Sequence, residues 1–211
     1  MTRLSKALII LNGEIPGKSL LQKLMTANDI IVCADGAAKA MAAYKLEPDL
    51  IIGDLDSITA ETKKSFPNAG IKKIDDQETT DGEKAFDYCI ENEYFDITLV
   101  GGFGKRLDHS LYNIGLLKKH HKPGIVITCF SDTEKAMLIE ESIVLNEDPG
   151  TTISLIPIFG DAKGVRMEGF LYDLKKENLH FGDYCSMSNV TQSQHPKITI
   201  ASGQLLLVIP L

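Results

Sequence analysis

The sequence has few basic residues and no regular spacing among its cysteines, which argues against a protein that binds nucleic acid, an acidic membrane or structural zinc. Its 22 lysines and arginines are outnumbered by 29 aspartates and glutamates, which leaves a net charge of −7. Because nucleic acids and acidic membranes attract clustered positive charge, we expect neither as a partner. The four cysteines form no CxxC or Cys/His zinc spacing, and three of them stand in apolar runs, as buried thiols do in a reducing compartment.

Long hydrophobic segments are also missing. The apolar stretch at residues 7–11 is much shorter than the roughly 20 residues of a membrane-spanning helix, and no small-residue cleavage site follows it. We therefore expect a cytoplasmic protein. Internal repeats and low-complexity segments are absent as well. With 44% hydrophobic and 24% charged residues among 211, the chain has an ordinary globular composition and can bury a core without disulfides.

The first part of the chain alternates strand-like and helix-like segments. Runs such as DIIVCADG and DLIIGD are short, rich in Ile, Val and Leu, and end in Gly or Asp, which is typical of strands buried on both faces. Segments between them, such as DGEKAFDYCIENE, repeat apolar residues at helical spacing. This alternation predicts an α/β domain with a parallel sheet covered by helices on both faces.

From about residue 133 the pattern changes. Runs such as TTISLIPIFG and QLLLVIPL are short and are separated by Pro, Gly, Asn and Asp. They predict an all-β sandwich or barrel of about six to eight strands. We therefore expect two domains, an α/β domain at residues 1–132 and a β-sandwich domain at residues 133–211.

Two aspartates stand close together at the end of the third predicted strand, in LIIGDLDSI. Because unpaired buried charge is costly, Asp54 and Asp56 need a compensating partner or must face water. Asp81 opens a helix at the same rim of the sheet, where open parallel sheets bind their ligands. Mg²⁺ prefers carboxylates, waters and substrate phosphates, so we interpret the three aspartates as a magnesium site. The competing interpretation is that each of them only caps a helix or complements its dipole.

Phosphate-binding elements are predicted at this rim too. The turn GGFGKRLDHS follows a later strand, and its glycines would let backbone N–H groups approach a phosphate at a helix start. Asp35 and Gly36 open another helix there, in ADGAAKA. Lys84, on the same helical face as Asp81, and Arg106 could neutralise charge that develops in phosphoryl transfer. Taken one at a time, these features are also ordinary turns and solvated side chains.

Two further motifs indicate other enzymes. GEIPGKS, at residues 13–19, is similar to the phosphate-binding loop GxxxxGK[ST], but it is one residue shorter and contains Pro16. DLDSI approaches the DxDx[TV] motif of aspartate-nucleophile phosphatases, in which Asp54 would become an aspartyl-phosphate, although Ile58 stands where Thr or Val is expected. An aspartate-nucleophile phosphatase and a nucleotide-binding module without turnover therefore stay open as alternatives.

Several stretches, taken together and in order, resemble the thiamin pyrophosphokinase family over nearly the whole chain. They are ADGAAKA, PDLIIGDLDSI, DQETTDGEKA, GGFGKRLDHSLYN and GFLYDL…LHFGDYCSMSN. The resemblance implies transfer of the terminal pyrophosphoryl group of ATP to the alcohol of thiamin, which gives thiamin diphosphate and AMP. It also implies a Mg²⁺ cofactor, a thiamin-binding β domain and a homodimer with active sites between subunits.

The resemblance also suggests roles for individual residues. The catalytic and metal-handling set comprises Asp54, Asp56, Asp81 and Arg106. The ATP-binding set comprises Asp35, Gly36, Gln77, Thr80, Lys84, Gly101, Gly102, Gly104, Arg106, Asp108 and Asn113. The thiamin-binding set comprises Tyr172, Ser188 and Asn189. The chain departs from the family pattern where Ala37 and Lys105 replace frequent glycines and where Tyr172 stands in place of a Trp found in some members.

Overall fold

The structure, a computed structural model, describes residues 4–211 and separates into two compact units. One unit ends at Asp132, and the other comprises Thr133–Leu211. Residues 1–3, which belong to the predicted first domain, lie outside the described residues. None of the helices in the described part of the chain is long and apolar enough to cross a membrane.

The first unit is built on a six-stranded parallel sheet. Its strands are β1 (Ser5–Ile10), β2 (Ile30–Ala34), β3 (Leu50–Gly53), β4 (Gly70–Lys73), β5 (Tyr94–Val100) and β6 (Val126–Phe130). They lie side by side in the order β4-β3-β2-β1-β5-β6, and every pairing is parallel. In register, Leu8 of β1 stands between Ile31 of β2 and Thr98 of β5. The predicted parallel α/β sheet is confirmed, with β4 as an additional strand at its edge.

Five helices connect these strands. They are α1 (Lys18–Ala27), α2 (Ala38–Tyr44), α3 (Ala60–Lys64), α4 (Asp81–Glu91) and α5 (Leu107–His120), and a 3-10 turn at Asp35–Ala37 precedes α2. Thr80 caps α4 by accepting a hydrogen bond from the backbone N–H of Glu83. Thr59 caps α3 in the same way, so neither Asp56 nor Ser57 is the cap of that helix.

The core of the first unit follows from the apolar runs of the sequence. Leu8 and Ile10 of β1 are fully buried, as is Ile51 of β3. They pack in one cluster with Leu21 of α1 and Met41 of α2. Burial of these side chains holds the central strands in place. The loops beyond the carboxyl ends of the strands are positioned by this core.

The second unit consists of eight strands. They are β7 (Glu134–Ile139), β8 (Ile143–Val144), β9 (Thr152–Ile156), β10 (Ala162–Glu168), β11 (Leu174–Leu179), β12 (Ser186–Val190), β13 (Lys197–Thr199) and β14 (Leu205–Pro210). Antiparallel pairing joins them in the orders β12-β9-β14-β7 and β11-β10-β13-β8. Leu155 and Leu207 from the first group share a buried cluster with Val165 and Ile198 from the second. The predicted β-sandwich is confirmed.

Candidate active site

A cavity of about 450 Å³ lies beyond the carboxyl ends of the strands in the first unit. The chain runs outward from β1 through β2 and β3 to β4, and then returns to the other side of β1 as β5. Such a reversal of strand order opens a crevice, because the loops after the two neighbouring strands diverge. Segments that follow β1, β2, β3 and β5 all line the cavity. Its volume is within the range of sites for small molecules and cofactors.

Three carboxylates meet at this cavity. Asp35, Asp54 and Asp81 each place an oxygen within 4.8 Å of the others. Asp35 is 2% exposed, and among the described residues its Oδ2 atom has no hydrogen-bond partner. Burial, followed by the nearby carboxyl groups of Asp81 and Asp54, raises the pKa of Asp35 to about 7. A cluster of this kind is stabilised by a bound cation.

Gly53 leaves the space in which the carboxylates gather. A Cβ atom at this position would lie 2.8 Å from Cγ of Asp35 and 3.0 Å from Oδ1 of Asp81. Both distances are shorter than ordinary van der Waals contacts. The donor set consists of carboxylate oxygens and includes a buried oxygen without a partner, which suits a hard cation such as Mg²⁺.

Asp54 is fixed by its neighbours. Its Oδ1 atom accepts a hydrogen bond from the backbone N–H of Asp56 at 3.1 Å, and its Oδ2 atom accepts one from Nε2 of Gln77 at 3.4 Å. These bonds, with the backbone N–H of Asp56 first, lower the pKa of Asp54. Asp56 itself is exposed and lies outside the cluster, where Asp35 stands instead. The metal-binding role of Asp56 stays a prediction.

Lys84 and Arg106, the two positively charged residues predicted for the site, lie in different surroundings. Lys84 is 5% exposed, and its Nζ atom lies 3.3 Å from Oδ1 of Asp81, so the predicted shared helical face is present. Arg106 is exposed and pairs with Asp108 through Nε, 3.0 Å from Oδ1, and through Nη2. This guanidinium lowers the pKa of Asp108 to about 2. Arg106 and Asp108, both predicted to bind ATP, are therefore bonded to each other.

The glycine-rich turn after β5 is held from two sides. The amide of Asn113 in α5 donates a hydrogen bond to the carbonyl oxygen of Gly102 at 2.7 Å, and Asn113 is buried. On the other side, the N–H of Gly13 donates to the carbonyl oxygen of Gly101 at 2.7 Å. A Cβ atom on Gly13 would lie 2.2 Å from that oxygen. Asn113 thus supports the turn through the carbonyl group of Gly102. Glycine is needed at position 13 because the segment after β1 passes so close to the turn after β5.

The segment that is similar to a phosphate-binding loop makes a different contact. The backbone N–H of Gly17, at the start of α1, donates to both carboxylate oxygens of Asp132 at 2.9 Å. A carboxylate therefore occupies the position that a phosphate takes at such a helix start. Lys18 does not appear among the described residues that line the cavity. The arrangement does not favour a phosphate-binding loop here.

Sequence reasoning missed some residues of the cavity. Asn12, Asp76, Lys105 and His109 line it, although none was assigned a role in the site. Asp76 closes the turn before α4 by accepting hydrogen bonds from the backbone N–H of Glu78 and from Oγ1 of Thr79. Asn12 follows β1 and could have been found by its position at a strand end. Asp76 follows no strand or helix that the sequence predicts, and therefore offered no such signal.

The residues predicted to bind thiamin lie together in the second unit. Asn189 is 3% exposed; its Oδ1 atom accepts a hydrogen bond from the N–H of Tyr172 and its Nδ2 atom donates to the carbonyl oxygen of Tyr172. The N–H of Ser188 donates to Oγ of Ser154 at 2.9 Å. The Tyr172 side chain is 68% exposed. Asn189 therefore holds the turn that presents the Tyr172 ring.

A carboxylate-lined cavity at the switch point of a parallel sheet is the arrangement of an α/β protein that binds a ligand beyond the carboxyl ends of its strands. Two family models match the chain. "Thiamin pyrophosphokinase, catalytic domain" covers residues 21–129, and "Thiamin pyrophosphokinase, vitamin B1 binding domain" covers residues 140–207. The chain belongs to the thiamin pyrophosphokinase family.

Relatives and solved structures agree with this family. The chain is 30% identical to thiamine pyrophosphokinase 1 of Arabidopsis thaliana, with 95% of the chain and 84% of the relative covered. It is 28% identical to thiamine pyrophosphokinase 3 of Oryza sativa subsp. japonica, with 95% of the chain and 85% of the relative covered. The crystal structure of thiamine pyrophosphokinase from Bacillus subtilis has a TM-score of 0.84 at 22% identity, covering 98% of this chain and 99% of that one. Thiamin pyrophosphokinase from Candida albicans has a TM-score of 0.86 at 20% identity, covering 99% and 89%.

Proposed function

We propose that the protein is a thiamin diphosphokinase, which transfers a pyrophosphoryl group from ATP to the hydroxyl group of thiamin. The observation that carries this proposal is the cluster of Asp35, Asp54 and Asp81 in a cavity of ligand size, within a chain of the thiamin pyrophosphokinase family. In the reaction, the alcohol oxygen forms a bond to the β-phosphorus and the bond from that phosphorus to the α-phosphate oxygen breaks. AMP leaves, the alcohol gives up its proton, and thiamin diphosphate remains.

The cofactor we propose is Mg²⁺, held by Asp35, Asp54 and Asp81. The support is the all-oxygen donor set, the unpartnered buried oxygen of Asp35 and the space that Gly53 leaves between the carboxylates. A bound Mg²⁺ would neutralise phosphate charge and orient the phosphate oxygens. Asp56 is exposed in the same loop as Asp54. Its role at the metal stays a prediction, which the rate of an Asp56→Asn variant would test.

The other residues of the cavity suit the binding of a polyphosphate. Lys84 places a buried positive charge beside Asp81. Asn113 uses its amide to hold the carbonyl of Gly102, which stiffens the glycine-rich turn for phosphate oxygens. Arg106 is exposed, so its guanidinium can exchange Asp108 for a phosphate at little cost in desolvation. Catalysis of phosphoryl transfer depends chiefly on such positioning and charge, because its transition state is loose.

Thiamin binding is proposed for the second unit. Thiamin is a cation with flat rings, and the exposed ring of Tyr172 offers a face for it.

We further propose a homodimer, as the resemblance implies, which native mass spectrometry would detect as twice the 23.2 kDa mass of the chain. A single-chain mass at working concentration would contradict the dimer. The proposed location is the cytoplasm, in accord with four free cysteines, three of them buried.

Product analysis tests the reaction. The protein is incubated with thiamin, ATP and Mg²⁺, and nucleotides and thiamin esters are separated by chromatography. We expect AMP and thiamin diphosphate in equal amounts, and none of either when the metal is chelated. ADP or inorganic phosphate as the product would instead indicate a different kinase or a phosphatase. Unchanged ATP would indicate a nucleotide-binding module without turnover.

A further inference from the structure

One cation of the cavity forms no ion pair with a carboxylate of the described residues. Lys84 is paired with Asp81, and Arg106 is paired with Asp108. Lys105 lines the same cavity, but in the described part of the chain its Nζ atom has no carboxylate within ion-pair distance. It donates instead to the carbonyl oxygen of Asn12 at 3.0 Å and to the Oδ1 atom of the same residue at 3.3 Å. These neutral acceptors orient the ammonium group without cancelling its charge.

The backbone at Lys105 is in a conformation that favours glycine. Its φ angle is +56°, and the N–H of Arg106 donates to the carbonyl oxygen of Gly104 at 2.7 Å, so Lys105 is the central residue of a three-residue turn. The other positive-φ residues of this loop, Gly101 and Gly104, are glycines. A side chain at such a position costs backbone strain that glycine would avoid. Lys45 adopts the same φ away from the cavity, so it is the charge and contacts of Lys105 that indicate its role.

The charges around the cavity indicate what that role is. Asp35, Asp54, Asp76 and Asp81 make the cavity wall acidic. A polyphosphate is strongly anionic, so it needs positive charge that the wall does not already neutralise. An ammonium group has three N–H donors, of which the contacts with Asn12 use two.

We propose that Lys105 is an additional ATP-binding residue, which contacts the β- or γ-phosphate with its remaining N–H donor. This inference rests on the proposed function, because it takes ATP as the ligand of the cavity. Lys105 stays anchored on Asn12 while it does so, which keeps the loop after β5 against the segment after β1. Its contribution is to the binding of the nucleotide, whereas the binding of thiamin is independent of it.

Isothermal titration calorimetry with Mg-ATP, in the absence of thiamin, measures this contribution. We expect Lys105→Gln to weaken ATP binding about tenfold, as loss of a charge-assisted hydrogen bond does, and AMP binding by less than about twofold. Lys105→Arg keeps the charge and should bind ATP within about threefold of the parent protein. Lys105→Gly relieves the backbone strain, so it should unfold at an equal or higher temperature and still bind ATP about tenfold more weakly.

Lys45→Gln is the matched control. Lys45 is an exposed lysine with the same φ of +56°, and it follows α2 outside the residues that line the cavity. The variant loses the same charge from a backbone position with the same positive φ, and we expect its ATP affinity to equal that of the parent.

Several results would overturn the assignment. They are an unchanged ATP affinity in Lys105→Gln or Lys105→Gly, an equal loss of affinity for ATP and AMP, and an equal loss in Lys45→Gln. If the parent binds ATP and Lys105→Gln weakens it, but no thiamin diphosphate forms, the proposed function fails and the assignment of Lys105 holds. If thiamin diphosphate forms and Lys105→Gln binds ATP normally, the proposed function holds and the assignment of Lys105 fails. A parent protein that does not bind Mg-ATP contradicts both.

Discussion

Replacement of Gly53 by alanine should slow catalysis strongly without removing any carboxylate. The added Cβ atom would lie 2.8 Å from Cγ of Asp35, 3.0 Å from its Cβ and 3.0 Å from Oδ1 of Asp81. Carbon atoms in contact normally stay about 3.5–4.0 Å apart, so a carboxylate must move by about 0.5–1 Å. Since a displacement of about 1 Å at a reacting centre can cost about 100-fold in rate, we expect a loss of this size in kcat for Gly53→Ala.

Two effects should lower the stability of this variant. Overpacking in a protein interior costs about 1–3 kcal/mol, and an alanine at the φ of +155° that Gly53 adopts adds backbone strain of about 1–3 kcal/mol. Each kcal/mol lowers the unfolding temperature by about 2–4 °C in a chain of this length. The assay therefore combines the initial rate of AMP formation at several Mg²⁺ concentrations with thermal unfolding followed by circular dichroism. Gly53→Ala should be folded at the assay temperature and slow at every metal concentration.

Gly115→Ala provides the control. Gly115 lies within α5, and an added Cβ atom there meets nothing within 4 Å. Because alanine favours the helix over glycine by about 1 kcal/mol, this variant should be as active as the parent and equally or more stable. A Gly53→Ala variant that keeps a normal rate while folded would refute the idea that these carboxylates form the reacting centre.

Three other predictions follow from the site and from the helices beside it. Asp54→Asn should abolish AMP formation with the fold intact, because it removes a proposed metal ligand and also one of several like charges; a near-normal rate at low Mg²⁺ would argue against the metal role. Lys18→Ala should leave the rate within about twofold of the parent, since the start of α1 faces Asp132, whereas loss of a phosphate-binding lysine would be severe. His120→Phe should reduce the pH dependence of the free energy of unfolding. His120 stacks on Phe86, its Nε2 atom is buried without a partner among the described residues, and burial lowers its pKa, so the parent should lose stability as the pH falls below about 6.5. Urea unfolding at pH 7.5 and 5.5 measures this, and an equal change in parent and variant would contradict the assignment.

The strands of the first unit show which parts of the fold the sequence predicts well. β2 and β3 are short runs of Ile, Val and Leu, and they are buried on both faces as such runs require. β4 was not predicted because all four of its residues are exposed, at the edge of the sheet, so that its sequence carries no apolar pattern. The order of the strands follows from pairings between distant segments, which local periodicity does not encode.

The carboxylate cluster was also predicted only in part from the sequence. The sequence placed Asp35, Asp54 and Asp81 at one rim, because each follows a strand or opens a helix of the parallel sheet. It assigned Asp56 to the metal site as the third member and gave Asp35 only a role in ATP binding, whereas the cluster in the structure contains Asp35. After β3 the chain passes through Leu55 with φ of +67°, and the N–H of Asp56 bonds back to Asp54, which leaves the Asp56 side chain exposed.

The sequence by itself determined the succession of an α/β part and a β part, the family resemblance and most of the residues at the rim. These depend on residue type and on spacing along the chain, both of which a sequence displays. Only the tertiary structure decided that Arg106 pairs with Asp108, that Asp132 meets the start of α1 and that Lys105 is anchored on Asn12. The contacts of Asp132 and Lys105 join residues 115 and 93 positions apart. Such contacts depend on loop geometry, because a displacement of a few ångströms makes or breaks a hydrogen bond.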